Sequence, residues 1–169
     1  MSCVFEGILI KASSEKVKYN VNQKICTNLK LKFEKLNDYL SCFNVVENSR
    51  NFSSDLDSVA SQISEIFSQA ILIRYDDRIG YRESIIFEKG VPVKQFNLAD
   101  EIWVMLDEDG NPILDSQQFT IDQIEEDDEE YETIYNAIQL GIEFVGINKN
   151  VWKEVHSFIT KPRWRNIDF

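Results

Sequence analysis

The chain has 169 residues, with 29 acidic against 18 basic side chains, a net charge of -11 and a pI of about 4.6. A protein with this net negative charge is not expected to bind the phosphates of a nucleic acid or to lie on an anionic membrane. No stretch approaches the ~20 apolar residues of a membrane span, and the N-terminus lacks the basic leader of a secretory signal. Because Cys3, Cys26 and Cys42 are widely spaced, we expect free thiols and a cytoplasmic protein.

The first quarter of the chain predicts two strands and a helix. An apolar, β-branched run over residues 4–10 is typical of a strand. Val17, Tyr19 and Val21 then alternate with polar residues, which predicts a second strand and hence an N-terminal hairpin. Over residues 25–43, apolar side chains recur at steps of three and four, which is the spacing of one helix face.

The middle of the chain predicts a helix followed by antiparallel strands. Ser53 or Ser54 is a favourable N-cap, and Asp55 and Asp57 fall in the first turn, where the helix dipole stabilises negative charge. Four short strands then follow, over residues 71–75, 81–88, 91–96 and 101–106. Because short turns join them, we expect an antiparallel meander over about residues 70–107.

The last third of the chain predicts two helices. Apolar residues between Tyr131 and Val145 recur at helical spacing, and a shorter helix over residues 151–159 ends before Pro162. The predicted fold is therefore one α+β domain over residues 1–169. In it, the meander and the N-terminal hairpin pack against amphipathic helices.

The acidic residues are concentrated in one part of the chain. Residues 1–94 hold 13 bases and 12 acids, residues 95–148 hold 15 acids and no base, and residues 149–169 hold five bases and two acids. The dipole of a following helix stabilises acids in its first turn by about 1 kcal/mol, which accounts for two or three of them. The acidic segment, residues 100–132, is interpreted either as a solvated loop or as a binding surface.

A basic protein is the partner that this segment fits best, since opposite charges steer two proteins together and aromatic residues anchor the contact. The candidate partner-binding residues are Asp107, Asp109, Asp122, Glu125, Glu126, Asp127, Asp128, Glu129, Glu130, Tyr131 and Tyr135. Self-association is an alternative, in which Lys161, Arg163 and Arg165 meet the acids of the same or a neighbouring chain. A calcium site is not expected around Asp107, because the spacing departs from that of an EF-hand loop.

The sequence carries no recognised catalytic motif. It has one histidine, His156, and no nucleophile elbow or glycine-rich phosphate loop. We therefore predict a non-enzymatic acidic binding protein without a cofactor or metal, such as an immunity protein that neutralises a basic, nuclease-like toxin. The alternatives are a structural homo-oligomer subunit, and an enzyme or small-ligand module that uses carboxylates of the charged loop between Asp76 and Glu83.

Overall fold

The structure is a computed structural model that describes residues 4–12, 14–37, 40–45, 52–124, 130–148 and 151–161. Its strands are β1 (Val4–Lys11), β2 (Leu31–Lys35), β3 (Leu40–Val45), β4 (Gln69–Asp76), β5 (Tyr81–Glu88), β6 (Val91–Phe96), β7 (Ile102–Met105) and β8 (Tyr131–Tyr135). Its helices are α1 (Ser14–Lys24), α2 (Asp55–Phe67), α3 (Ala137–Phe144) and α4 (Trp152–Thr160), and two 3-10 turns cover Leu98–Asp100 and Ile121–Gln123. In this part of the chain, no helix is long and apolar enough to cross a bilayer.

Six strands form one antiparallel sheet, here called the main sheet, in the order β2-β3-β1-β4-β5-β6. Strands β7 and β8 pair separately. The α+β class with antiparallel strands is thus confirmed. The first four strands and two helices have the split β-α-β connectivity of ferredoxin-like topologies, since β3 lies between β2 and β1, and β1 lies between β3 and β4. Two hairpins then add β5 and β6.

Helices cover both faces of the main sheet. On one face, Ile8 and Leu72 pack in a core with α1 and α2. On the other face, Leu9 and Ile71 pack in a core with α3 and α4. Neighbouring residues of one strand thus point into opposite cores. Each fully buried aliphatic side chain contributes about 1.5–3 kcal/mol to folding.

The segment predicted as the second strand is helix α1, so the predicted N-terminal hairpin is wrong. Val17 and Val21 are 0% and 2% exposed, whereas Tyr19 between them is 67% exposed. Residues four apart share one helix face, and the residue midway between them points away. The three residues alternate as they would in a strand, but only two of them reach the core.

The helix predicted over residues 25–43 is also wrong, because this segment contains the hairpin β2–β3. Phe33 lies opposite Phe43, with ring centroids 5.0 Å apart. The side chain of Asn37 accepts a hydrogen bond from the backbone N of Leu40 at 2.9 Å, which holds the connection. Cross-strand pairing and burial of β3 on both faces outweigh the helical spacing.

Helix α2 and strands β4, β5 and β6 lie where the sequence predicts them. The Oγ of Ser53 accepts a hydrogen bond from the backbone N of Asp55 at 3.3 Å and so supports the start of α2. The fourth strand of the predicted meander, β7, leaves the main sheet and pairs with β8 instead. The meander in the main sheet therefore has three strands.

The helix predicted from Tyr131 begins only at Ala137, because residues 131–135 form β8. The side chain of Asn136 accepts a hydrogen bond from the backbone N of Gln139 at 2.9 Å, and the side chain of Gln139 accepts one from Asn136 at 3.3 Å. This capping box fixes the start of α3. The short final helix is confirmed as α4. The extent of the domain, residues 1–169, stays a prediction.

Candidate functional site

The acidic segment is built around strand β7. One edge of β7 pairs with β8, and the other edge exchanges two backbone hydrogen bonds of 2.9 Å between Trp103 and Phe119. The carbonyl of Met105 also accepts a hydrogen bond from the backbone N of Ile113 at 2.9 Å. The described chain after β7 therefore folds back along this strand. We call the unit formed by residues 98–124 and 130–135 the β7–β8 layer.

Asp107 holds the turn that follows β7. Its Oδ1 accepts hydrogen bonds from the backbone N of Asp109 at 2.9 Å and of Asn111 at 2.8 Å. Gly110 completes the turn with a φ of +80°, which favours glycine. One oxygen of Asp107 thus has a structural role, whereas the carboxylate of Asp109 is exposed in the turn.

Eight carboxylates of the acidic segment are exposed, and we call them the acidic face. They belong to Asp100, Asp107, Glu108, Asp109, Asp115, Asp122, Glu130 and Glu132. Within the described part of the chain, none of them has a lysine, arginine or histidine nitrogen within 4.0 Å. These charges repel one another over a Debye length of about 8 Å at physiological salt.

The two 3-10 turns bring distant parts of the acidic face together. Asp100 lies in the first turn and Asp122 in the second, and the two turns lie side by side. Leu98, in the same turn as Asp100, is 40% exposed, and Leu114 further along the segment is 66% exposed. The segment that carries the acidic face thus also exposes apolar side chains.

Six of the predicted partner-binding residues lie in the described structure, namely Asp107, Asp109, Asp122, Glu130, Tyr131 and Tyr135. The four acids belong to the acidic face. Tyr131 is half-buried and packs edge-on against Phe119, with ring centroids 5.6 Å apart, and Tyr135 is half-buried opposite Ile102. Both tyrosines therefore help to hold the β7–β8 layer. Glu125, Glu126, Asp127, Asp128 and Glu129 lie outside the described residues.

One acid of the segment, Glu101, is buried and paired. Its Oε1 lies 2.9 Å from Nε of Arg82 on β5, and its Oε2 accepts a hydrogen bond from Nη2 of Arg82 at 3.0 Å. It also accepts a hydrogen bond of 3.4 Å from the backbone N of Ala137, at the start of α3. Burial raises the pKa of Glu101 in spite of Arg82. Glu101 thereby joins the β7–β8 layer to the main sheet and to α3.

A second polar cluster lies on the main sheet, around Arg74 of β4. Nη2 of Arg74 donates hydrogen bonds to Oδ2 of Asp57 at 3.1 Å and to the carbonyl of Ser53 at 3.2 Å. Its Nη1 lies 3.7 Å from Oε1 of Glu83, and the two side chains are only 10% and 7% exposed. The ring centroid of Phe52 lies 6.0 Å from the guanidinium. Carboxylates of α2 and β5 therefore neutralise this buried cation.

Glu83 has further donors in the same cluster. The hydroxyl of Tyr81 donates a hydrogen bond to its Oε2, and Nε2 of Gln95 donates one to its Oε1 at 3.0 Å. Burial, followed by the hydrogen bond to Glu83, raises the pKa of Tyr81 to about 12. The polar atoms of this cluster thus find most of their hydrogen-bond and ion-pair partners within the chain.

The charged loop between Asp76 and Glu83, predicted as one possible ligand site, does not converge on a single point. Arg78 returns to Asp76, with Nε to Oδ1 at 2.8 Å and Nη2 to Oδ2 at 2.6 Å, and its hydrogen bond holds the pKa of Asp76 below its ordinary range. Arg82 pairs with Glu101, whereas Glu83 pairs with Arg74. Adjacent strand residues point to opposite faces, which separates these two pairs.

Within the described residues, no group of three or more His, Cys, Asp or Glu side chains is arranged to hold a metal ion. No family model matches the chain, and neither a curated protein nor a solved structure matches it. The charges and contacts of the chain itself are therefore what bear on its function.

Two buried charges were missed by the sequence analysis. Arg74 had a signal, because it is a lone base within the apolar run of β4, where a buried charge requires a partner. Glu101 had none, since nothing local distinguishes it from the other acids of its segment. Its burial depends on the place where β7 leaves the main sheet.

Proposed function

We propose that the chain acts by binding a basic protein, which docks on the acidic face. The observation that carries the proposal is that eight exposed carboxylates have no cation of the described residues within ion-pair distance. By contrast, the described arginines, Arg74, Arg78 and Arg82, are each paired with an acid. The bases of the described chain thus leave the acidic face unneutralised.

Such a surface suits a basic partner for a physical reason. Like charges held together raise the free energy of the free protein, and a partner of opposite charge relieves that repulsion. Their field also steers encounter, which speeds association by about 10–10³-fold at low salt. Leu98 and Leu114 supply exposed apolar side chains beside the charges. Interfaces of this kind combine apolar anchors with a charged rim.

The more specific proposal is an inhibitor, such as an immunity protein that neutralises a nuclease-like toxin. Enzymes that act on nucleic acids carry basic surfaces to hold phosphates, and a set of fixed carboxylates can occupy such a surface. A non-enzymatic role is supported by the buried acids Asp76, Glu83 and Glu101, which each hold a cation of the chain.

The test is affinity capture from a lysate of the organism that encodes the chain, with mass spectrometry of the eluted proteins. The bait is the wild-type chain or an acidic-face variant, E108Q/E130Q/E132Q. Asp107 is left intact because it holds a turn. We expect the wild type to retain a basic protein stoichiometrically at low salt and the acidic-face variant to lose it. The retained protein is then assayed for cleavage of DNA and RNA with and without one equivalent of the chain.

A matched control variant, D55N/E65Q/E154Q, removes three exposed acids outside the acidic face and changes the net charge equally. We expect it to retain the same basic protein as the wild type. Equal retention by all three baits, or no basic protein on any of them, contradicts the proposal. A retained nuclease that stays fully active in the complex contradicts the inhibitor role and leaves the binding role intact.

A further inference from the structure

The chain from the end of β1 to the end of β2 carries a basic surface. Residues 11–35 contain seven lysines and two glutamates, a net charge of +5, and all seven lysines are exposed. They are Lys11, Lys16, Lys18, Lys24, Lys30, Lys32 and Lys35, on the end of β1, on α1, before β2 and on β2. We call this set the basic surface. It holds more than half of the 13 bases in residues 1–94.

An aromatic side chain lies within this basic surface. Tyr19 of α1 is 67% exposed, between Lys16 and Lys18 in sequence on one side and Lys24 on the other. The core contacts of α1 come from Val17 and Val21 instead. Core packing therefore does not need Tyr19. Tyrosine is enriched among the residues that carry binding energy at protein interfaces, so an exposed tyrosine among cations suits an interface.

The basic surface includes one edge strand of the main sheet, β2, and the acidic segment follows the other edge strand, β6. Strand β2 forms one edge of the main sheet and β6 the other, which is five interstrand spacings, or about 24 Å. The acidic segment continues from β6 and is attached to β5 through Glu101. The lysines on β2, Lys32 and Lys35, therefore lie on an edge strand roughly three Debye lengths from β6 at physiological salt.

We infer that the basic surface docks on the acidic face of a second copy of the chain, head to tail. The complementary surface is on the same molecule, since residues 95–148 hold 15 acids and no base. Nucleic acid is a poorer fit, because the net charge of -11 repels phosphates at long range. Lysines on the edge strand β2 oppose strand addition, so the contact is made by side chains.

A head-to-tail contact leaves one free surface at each end, so it forms open chains or rings. This contact uses the same acidic face as the basic partner of the proposed function, so that partner competes with assembly. Of the other bases considered for self-association, Lys161 is exposed at the end of α4, and Arg163 and Arg165 lie outside the described residues.

The test measures molar mass by sedimentation and light scattering at increasing protein concentration. At 20 mM salt, the Debye length is about two to three times its physiological value. We expect the wild type to form species larger than the 19.7 kDa monomer at this salt concentration and to return to the monomer at high salt. The acidic-face variant and a basic-surface variant, K16Q/K18Q/K24Q, should each stay monomeric. Mixed together they keep one intact contact, so we expect a species of two chains and nothing larger.

A lysine control, K89Q/K94Q/K153Q, removes three exposed lysines elsewhere and should assemble like the wild type. Tyr19→Ser should weaken assembly without changing the free energy of unfolding. A monomeric wild type at low salt, or assembly by the basic-surface variant, overturns the inference. So does a monomeric chain whose basic surface binds a single-stranded DNA oligonucleotide. The basic-surface variant should still bind the basic partner, and only the acidic-face variant should lose that binding. This result separates self-assembly from the proposed function.

Discussion

The main sheet and the β7–β8 layer use charge in opposite ways. In the main sheet, Arg74 is 10% exposed at its side chain and held by two carboxylates, and Asp76 is held by Arg78. In the β7–β8 layer, eight carboxylates are exposed and have no described cation beside them. Buried charges must be paired to be tolerated, whereas exposed charges need no partner for folding. Loss of a buried, paired charge should therefore destabilise the protein, whereas loss of the exposed acids Glu108, Glu130 and Glu132 should stabilise it.

The largest effect is expected for Arg74→Ala. It leaves Glu83 buried without its cation, which should lower the free energy of unfolding by about 3–5 kcal/mol. Urea denaturation measures the change. Lys32→Ala is the control, because Lys32 is 63% exposed in its pair with Glu34, and exposed pairs contribute about 0–1 kcal/mol. Equal losses in the two variants would remove the distinction between buried and exposed pairs.

Glu101→Ala should cost about 3 kcal/mol, because Arg82 loses its partner and the β7–β8 layer loses its attachment. Hydrogen exchange should show faster exchange at the amides of β7 and β8 than at those of β1. Glu101→Gln should cost less, since the amide oxygen still accepts a hydrogen bond from Arg82. Uniform exchange across both regions would contradict the role of Glu101 as an attachment.

The pH dependence of Glu101 has a definite sign. Burial raises its pKa in the folded state, so the fold favours the protonated form. Its contribution is most favourable below the unfolded pKa, about 4.3, and is lost as pH rises through the folded value. We therefore expect the free energy of unfolding of the wild type, relative to Glu101→Gln, to fall as pH rises above about 4.3. A difference that rises with pH would show instead that Arg82 dominates.

The acidic-face variant, E108Q/E130Q/E132Q, should be slightly more stable than the wild type. Removing three mutually repelling charges should add about 0.5 kcal/mol at low salt, and the gain should vanish near 1 M salt, where the Debye length is about 3 Å. Thermal unfolding at the two salt concentrations measures it. A loss of stability would mean that these acids support the fold.

The smallest expected change concerns Tyr81. Burial and the hydrogen bond to Glu83 raise its pKa to about 12, so an ultraviolet titration should show an ionisation step at about pH 12. Tyr81→Phe should remove that late step. Glu83→Gln should lower the pKa of Tyr81 only in part, because burial remains. If every tyrosine titrates near the ordinary value of about 10, the Arg74 cluster is open to solvent.

Sequence patterns predicted the fold best where one local signal agreed with the tertiary contacts. Helix α2 has a serine before its start, acids in its first turn and an apolar stripe, and it lies where predicted. Helix α1 was mistaken for a strand because Val17, Tyr19 and Val21 also fit a period of two. Strand β8 was mistaken for a helix, although Asn136 and Gln139 mark the later helix start. In these two errors, the deciding contact lies far away in the sequence, whereas the missed hairpin β2–β3 is held by local contacts such as that between Asn37 and Leu40.

For the candidate site, the composition of the chain predicted the acidic segment but not which of its acids are buried and which are exposed. Glu101 and Asp100 are neighbours in the sequence, yet one is buried against Arg82 and the other is exposed. Only the path of the chain out of β6 decides between these environments. The separation of Arg82 and Glu83 onto opposite faces of β5 depends in the same way on the strand assignment.

The most direct test of the account is the association rate of the captured basic protein with the wild type, the acidic-face variant and the control variant D55N/E65Q/E154Q, at low and high salt. The account predicts that the acidic-face variant associates about tenfold more slowly at low salt, that the control keeps the wild-type rate, and that the three rates converge as salt rises. Equal rates for all three proteins at low salt would contradict the central claim that the exposed acids of the β7–β8 layer form the binding surface.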